Sequence, residues 1–185
     1  RVSPRDIDIL AINPAAVFRF AELMAEYTPE RCKDPKDHSE WYSSEQERVS
    51  EGPDDAGRVW TFARWILDGL KVEVAHIAAP EGFKDSAVGA GIWEAGPESW
   101  PHIRRVRFRD HRVPVVPLEI QLETCLRRGL EVRVSEIVGV LLRDGYNHAL
   151  IESGLSKDHL AVFRRLEAEY RNASIAESHP DGDLS

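Results

Sequence analysis

Arg5-Asp6-Ile7-Asp8-Ile9-Leu10 sets two carboxylates one residue apart inside a short apolar run. Side chains of an extended strand alternate between faces, so Asp6 and Asp8 share one face while Ile7 and Ile9 share the other. Like charges held that close repel each other unless a positive group sits with them, and a divalent cation is a usual solution. The competing reading is an edge strand whose wet face carries ordinary solvated carboxylates, since Asp is otherwise disfavoured in strands. Residues further along the chain bear on the choice.

Lys71-Val72-Glu73-Val74-Ala75-His76-Ile77 follows Asp68-Gly69, a turn signal, and alternates as a strand does. Val72, Val74 and His76 point one way, and Lys71, Glu73 and Ala75 point the other. If this strand lies beside the first, Glu73 meets Asp6 and Asp8 at one edge of a sheet. Three carboxylates on neighbouring strands suit two magnesium ions, which organise an in-line displacement at phosphorus by clamping the attacking and leaving oxygens.

These residues resemble the polymerase-beta-like nucleotidyltransferase superfamily of small bacterial enzymes. Its motif is a Gly-Ser turn, an Asp-x-Asp strand with hydrophobic neighbours, and a later strand with a third acidic residue. Ser3-Pro4-Arg5-Asp6-Ile7-Asp8-Ile9-Leu10 is similar to the second part of that motif, and Lys71-Val72-Glu73-Val74 to the third-carboxylate strand. Val113-Pro114-Val115-Val116-Pro117-Leu118-Glu119-Ile120-Gln121-Leu122 is similar to the strand and Pro-Leu-Glu helix that open the helical part of such proteins. The landmarks span residues 3 to 155. The Gly-Ser turn is not found between Arg1 and Asp6, and the expectation is that it lies upstream of Arg1.

The resemblance implies magnesium-dependent transfer of a nucleoside monophosphate from an NTP such as ATP. The acceptor would be a hydroxyl of a small molecule, as in antibiotic resistance against aminoglycosides or lincosamides, or of a protein or tRNA. Asp6, Asp8 and Glu73 would be both the catalytic residues and the ligands of two Mg2+ ions. The alternative is a catalytically degenerate binding or antitoxin module that keeps the fold and the carboxylates. A third possibility is a domain that a bound cation merely stabilises.

Composition narrows the classes. The chain has 185 residues, 42% hydrophobic content and five tryptophans, enough for a packed core. A net charge of −8 argues against an extended nucleic-acid-binding surface and suits a small, cationic acceptor. No apolar run approaches the ~20 residues that span a bilayer. Cys32 and Cys125 have no metal-ligand spacing and read as free thiols of a cytoplasmic protein; a homodimer is a further expectation.

The expected architecture is α+β: a small mixed nucleotidyltransferase sheet with flanking helices over 1–116, a helical part over 117–171 and a flexible tail over 172–185. Asn13-Pro14 predicts a capped helix from Pro14 to Glu26. Thr28 to Gly57 reads as a long loop. Val59, Phe62, Ala63, Ile66 and Leu67 fit a helix from Arg58 to Leu67 ended by Gly69, with a strand as the rival. Residues 80–101 read as a Gly-rich connection. A hairpin follows, Ile103 to Phe108 and Arg112 to Val116, with arginines alternating along an exposed face and phosphate contact as a further use for them. Pro117–Arg128, Glu131–Arg143 and Ser156–Arg171 show the helical period, with Gly129 and Gly145 as stops and Ser156 as a cap.

Further candidate substrate contacts are Arg5, beside the carboxylate strand, Trp93, which could stack on a flat ligand or pack on the core, and Glu119 and Glu123. Either glutamate could supply a base from the helical part; Glu119 is equally a first-turn acid favoured by the helix dipole. His76 is expected to pack in the core.

Overall fold

The computed structural model describes residues 6–28, 41–55, 57–78 and 91–178. The chain divides into two compact units, Arg1–Phe83 and Lys84–Ser185. The division falls earlier than the expected boundary at 116/117, so the arginine hairpin belongs to the unit that carries the late helices.

In the first unit β1 (Asp6–Leu10) leads into α1 (Pro14–Leu23), followed by a 3-10 turn (Ala25–Tyr27) and then β2 (Ser50–Pro53), β3 (Val59–Leu67) and β4 (Leu70–Ala78). The strands form one mixed sheet in the order β1-β4-β3-β2, with β1 parallel to β4 and the other pairs antiparallel. α1 starts where expected: the Asn13 side chain accepts from the Ala16 N–H at 2.9 Å, and Pro14 opens the first turn. Its apolar stripe, Val17, Phe20, Ala21 and Met24, covers one face of the sheet through Ile9, Ala63, Trp65 and Val74. The Phe20 and Trp65 rings lie 5.7 Å apart at its centre. His76 is half-buried, and its Nδ1 lies 3.0 Å from the Ala11 carbonyl at the end of β1.

The segment from Arg58 to Leu67 corrects the sequence expectation: it is strand, not helix. Asp68 (φ 50°) and Gly69 (φ 81°) both sit in the left-handed region, as a two-residue hairpin turn requires, and Leu67 pairs with Leu70 across it. Gly69 therefore turns a hairpin instead of stopping a helix. Burial alternates accordingly, with Thr61, Ala63 and Trp65 inside. The long Thr28–Gly57 segment is not loop throughout, because β2 pairs there with β3 from Ser50↔Phe62 to Pro53↔Val59. Ahead of it, Trp41 is buried with its ring 5.1 Å from Phe62, and the Ser43 N–H donates to the Arg64 carbonyl at 2.9 Å.

The second unit opens with a 3-10 segment (Pro97–His102) inside what reads as a connection, then the ribbon β5 (Arg104–Phe108) and β6 (His111–Val115). Four helices follow: α2 (Leu118–Arg127), α3 (Glu131–Asp144), α4 (His148–Gly154) and α5 (Lys157–Ser178). α4 was not anticipated; seven residues give too short a stretch for the 3.6 period to show. α5 runs on through residues expected in the frayed tail, since Asn172 to Ser178 contains neither Gly nor Pro and the first helix breaker is Pro180. Leu122, Val138, Leu141, Ile151, Leu155 and Phe163 form the main core of this unit. Cys125 is a free, buried thiol, and burial pushes its pKa up. Among the described residues no helix is long and apolar enough to cross a membrane. The whole is α+β, as expected.

Candidate functional site

The parallel register of β1 and β4 sets Asp8 directly opposite Glu73 and Asp6 opposite Lys71. Because directly paired residues project from the same side of a sheet, Asp6, Asp8, Lys71 and Glu73 share one face, the one that α1 does not cover. On the far side of β4, the antiparallel register brings Arg64 of β3 opposite Glu73. That face, which Trp41 and Tyr42 partly cover around Phe62 and Arg64, thus carries three carboxylates and two cations on three adjacent strands.

Glu73 and Arg64 form a half-buried ion pair in which Arg64 Nε donates to Oε2 at 2.7 Å, with Nη2 against the same oxygen. Arg64 is held for that contact. Its guanidinium carbon lies 5.4 Å from the Phe62 ring centre and 6.0 Å from that of Tyr42. Its Nη1 also donates to the Trp41 carbonyl at 3.4 Å. On the other flank Lys71 Nζ lies 3.8 Å from Asp6 Oδ2. Asp8 is exposed. The repulsion expected between neighbouring carboxylates is therefore offset within the chain by Arg64 and Lys71.

As a donor set, three carboxylates fit a hard divalent cation by chemistry, all ligands being oxygen. Among the described residues no group of three or more His, Cys, Asp or Glu side chains is gathered closely enough to hold one ion. The three acids share a face without converging.

Arg64 and Lys71 escaped the sequence reading, although the signal was present. With Asp68-Gly69 taken as a two-residue turn, counting back from Leu67↔Leu70 places Arg64 across from Glu73. Reading Arg58–Leu67 as helix hid that pairing.

Near the same sheet, the Trp60 indole N–H donates to Asp54 Oδ2 at 2.9 Å, and Arg58 adds a backbone bond at 3.0 Å and a side-chain bond at 2.7 Å. The Trp60 bond leads these in holding the Asp54 carboxyl down at about 2.

Glu119 and Glu123 lie one turn apart on α2, both fully buried. Glu119 Oε1 accepts from the backbone N–H of Asn147, the N-cap of α4, at 2.9 Å and from Arg104 Nη2 at 2.8 Å. Glu123 Oε2 accepts from the N–H of Ser156, just ahead of α5, at 3.0 Å, and Oε1 accepts from Arg127 Nε at 2.7 Å. His159 Nδ1 lies 2.9 Å from Oε2; a carboxylate only accepts, so this contact needs the proton on Nδ1. One helix thus supplies the anion at the N-terminus of two others, where the backbone donors and the helix dipole favour it. Burial pushes the Glu119 pKa up, but the Asn147 N–H and Arg104 more than offset it and leave the carboxyl below its ordinary value. So strongly held an anion is a poor proton acceptor.

Trp93 is half-buried, with its carbonyl accepting from the Gly96 N–H at 3.0 Å. Arg5 lies outside the described residues. Comparison with family models, with curated proteins and with solved structures gives no match for this chain.

Proposed function

We propose that the first unit is a nucleotidyltransferase-type domain acting on a nucleoside triphosphate, ATP among the candidates, with Asp6, Asp8 and Glu73 as its acidic centre. The observation that carries the reading is the pairing of Asp8 with Glu73 on adjacent parallel strands, with Asp6 two residues away on the same face. Asp6, Asp8 and Glu73 are the residues that would hold Mg2+, two ions in all. When bound, such ions offset phosphate charge and lower the pKa of an attacking hydroxyl. The chain's own contribution is positional. The sheet fixes the spacing of the acids, Arg64 sets the orientation of Glu73, and Lys71 lies where a phosphate oxygen could exchange for Asp6. The alternative role for Glu73, in place of ligating the second ion, is to accept the acceptor's proton once Arg64 releases it. The acceptor class that suits a chain of net charge −8 is a cationic small molecule, a protein or tRNA hydroxyl being the other classes, and free-thiol chemistry suits a cytoplasmic setting.

A second reading, a binding or antitoxin module without turnover, draws on one observation: Arg64 and Lys71 already sit against two of the three acids. The experiment is titration of each common NTP, with and without Mg2+, into the wild-type chain and Asp8→Asn. Magnesium-dependent binding in the wild type, weakened at least ~10-fold in the variant, about 1.4 kcal/mol, is expected. Equal binding to both proteins refutes the metal-centred reading. Binding without pyrophosphate release in the presence of cationic, protein and tRNA acceptors favours the module.

A further inference from the structure

The β5–β6 ribbon has a composition unlike the rest of this acidic chain. Residues 104–115 contain five arginines and one aspartate in a protein of net charge −8. In the register of the ribbon, Arg107 stands directly opposite Arg112 and Arg105 opposite Pro114. Arg105, Arg107 and Arg112 therefore share one face, and all three are exposed. Among the described residues, Arg104 is the only one of the five arginines in an ion pair.

Several features of the ribbon oppose its own stability. Like charges directly across a strand pair repel, and a two-stranded ribbon alone in water is marginal. Arg109 occupies the turn at φ 52°, a left-handed position that Gly, Asn or Asp fills more easily. The opposite face exposes Val106, Val113 and, near the tip, Phe108, which is 62% exposed and has the Arg109 guanidinium carbon 5.8 Å from its ring centre. Exposed guanidinium groups line one face, where Arg107 Nε also donates to the Arg109 carbonyl at 3.1 Å, and an exposed ring stands on the other face near the tip; a partner with regular negative charge and flat apolar rings that passes around the turn would complement both.

We propose that the β5–β6 ribbon is a nucleic-acid-binding arm: Arg105, Arg107 and Arg112 contact backbone phosphates on one face, and Phe108, on the other face near the tip, offers a stacking surface to a base of a strand that passes around the turn. Guanidinium forks match phosphate oxygens two at a time. Arginines two apart on a strand stand about 6.7 Å from each other, a spacing that suits successive charges of an extended polyanion. A free triphosphate is better served by a concave cradle than by a flat ribbon. An acidic peptide would leave Phe108 unused. The inference does not depend on nucleotidyl transfer in the first unit.

The test is fluorescence anisotropy of the full chain with labelled single-stranded RNA and duplex DNA, each of about 20 nucleotides, longer than typical single-strand site sizes. Three phosphate contacts predict that affinity falls about 20-fold for the single strand and about 40-fold for the duplex between ~50 and ~200 mM salt. The triple variant Arg105→Ala, Arg107→Ala, Arg112→Ala should bind at least ~10-fold more weakly and lose most of that salt dependence. Its far-UV circular dichroism should be unchanged. The triple Lys variant, which keeps the charge, should retain the salt slope, and Phe108→Ala should weaken the single strand more than the duplex. The proposal is overturned if neither oligonucleotide binds at ~50 mM salt or if the triple Ala variant binds as well as the wild type. It is also overturned if polyglutamate or ATP, at matched charge concentration, displaces the oligonucleotide as well as unlabelled RNA does.

Discussion

Glu123→Ala tests the claim that the acids of α2 organise the helical unit. In the wild type the buried carboxylate accepts from Arg127 Nε at 2.7 Å and from the Ser156 N–H at 3.0 Å, with His159 Nδ1 at 2.9 Å. Truncation leaves the Arg127 side chain, only 15% exposed, without its anion, and the N–H ahead of α5 without an acceptor. Arg127 Nη1 already lacks a partner among the described residues, and Nη2 donates to the neutral Gly91 carbonyl at 3.1 Å, so the guanidinium would keep a hydrogen bond and lose its anion. Removing one member of a buried pair costs about 3–5 kcal/mol, and an unsatisfied N–H costs about 1–3 kcal/mol. For a unit of this size about 4–8 °C of melting temperature accompanies each kcal/mol, so a fall of at least ~12 °C is expected. Thermal and urea denaturation should be followed at 222 nm, where α2–α5 dominate the signal. Glu123→Gln keeps an acceptor and the volume, and should recover part of the loss. A loss below ~1 kcal/mol for the Ala variant would refute the argument, since that is the scale of an ordinary solvated ion pair.

Three further outcomes follow from the same contacts. In Gly91→Ala the new methyl would stand 2.6 Å from Glu123 Oε1 and 2.7 Å from Cγ, against a side chain its partners hold in place; a destabilisation of about 1–3 kcal/mol is expected, read by urea denaturation. Asp54 has a depressed pKa. Its contribution to stability is therefore present above the unfolded value of 3.8 and is lost as pH falls through about 2, and Trp60→Phe should raise the Asp54 midpoint measured by carboxyl-carbon NMR titration. An unmoved midpoint would show that the indole bond is not the cause. Arg64→Ala leaves Glu73 without its guanidinium and removes one cation from the acidic face, so Mg2+ should bind this variant more tightly than the wild type in calorimetric titration. Unchanged or weaker binding would sever Arg64 from the proposed centre.

The face that Asp6 and Asp8 share followed from strand alternation alone. The Asn13 cap, the arginine hairpin and three of the four late helices were legible on the same local scale, from capping chemistry, strand alternation and the 3.6 period in turn, because each is set within a few residues. The helix reading of Arg58–Leu67 failed because the apolar residues of a nine-residue segment this rich in them fit either period. The Asp68-Gly69 turn, not the apolar spacing, held the information. Glu119 and Glu123 were legible as acids near the start of a helix, but nothing in their local sequence says that they are buried or that they cap α4 and α5.

Sequence by itself determined which side chains of β1 and of β4 travel together, since alternation is a property of a single strand. That β1 lies parallel to β4, with Asp8 across from Glu73, was decided by tertiary structure. A parallel partner some sixty residues away is selected by the packing of α1 on the opposite face and by the hairpin that brings β4 back, and neither is written in the residues of β1. The same is true of charge: the sequence supplied the carboxylates, and the pairing of β3 with β4 decided that Arg64 would meet one of them.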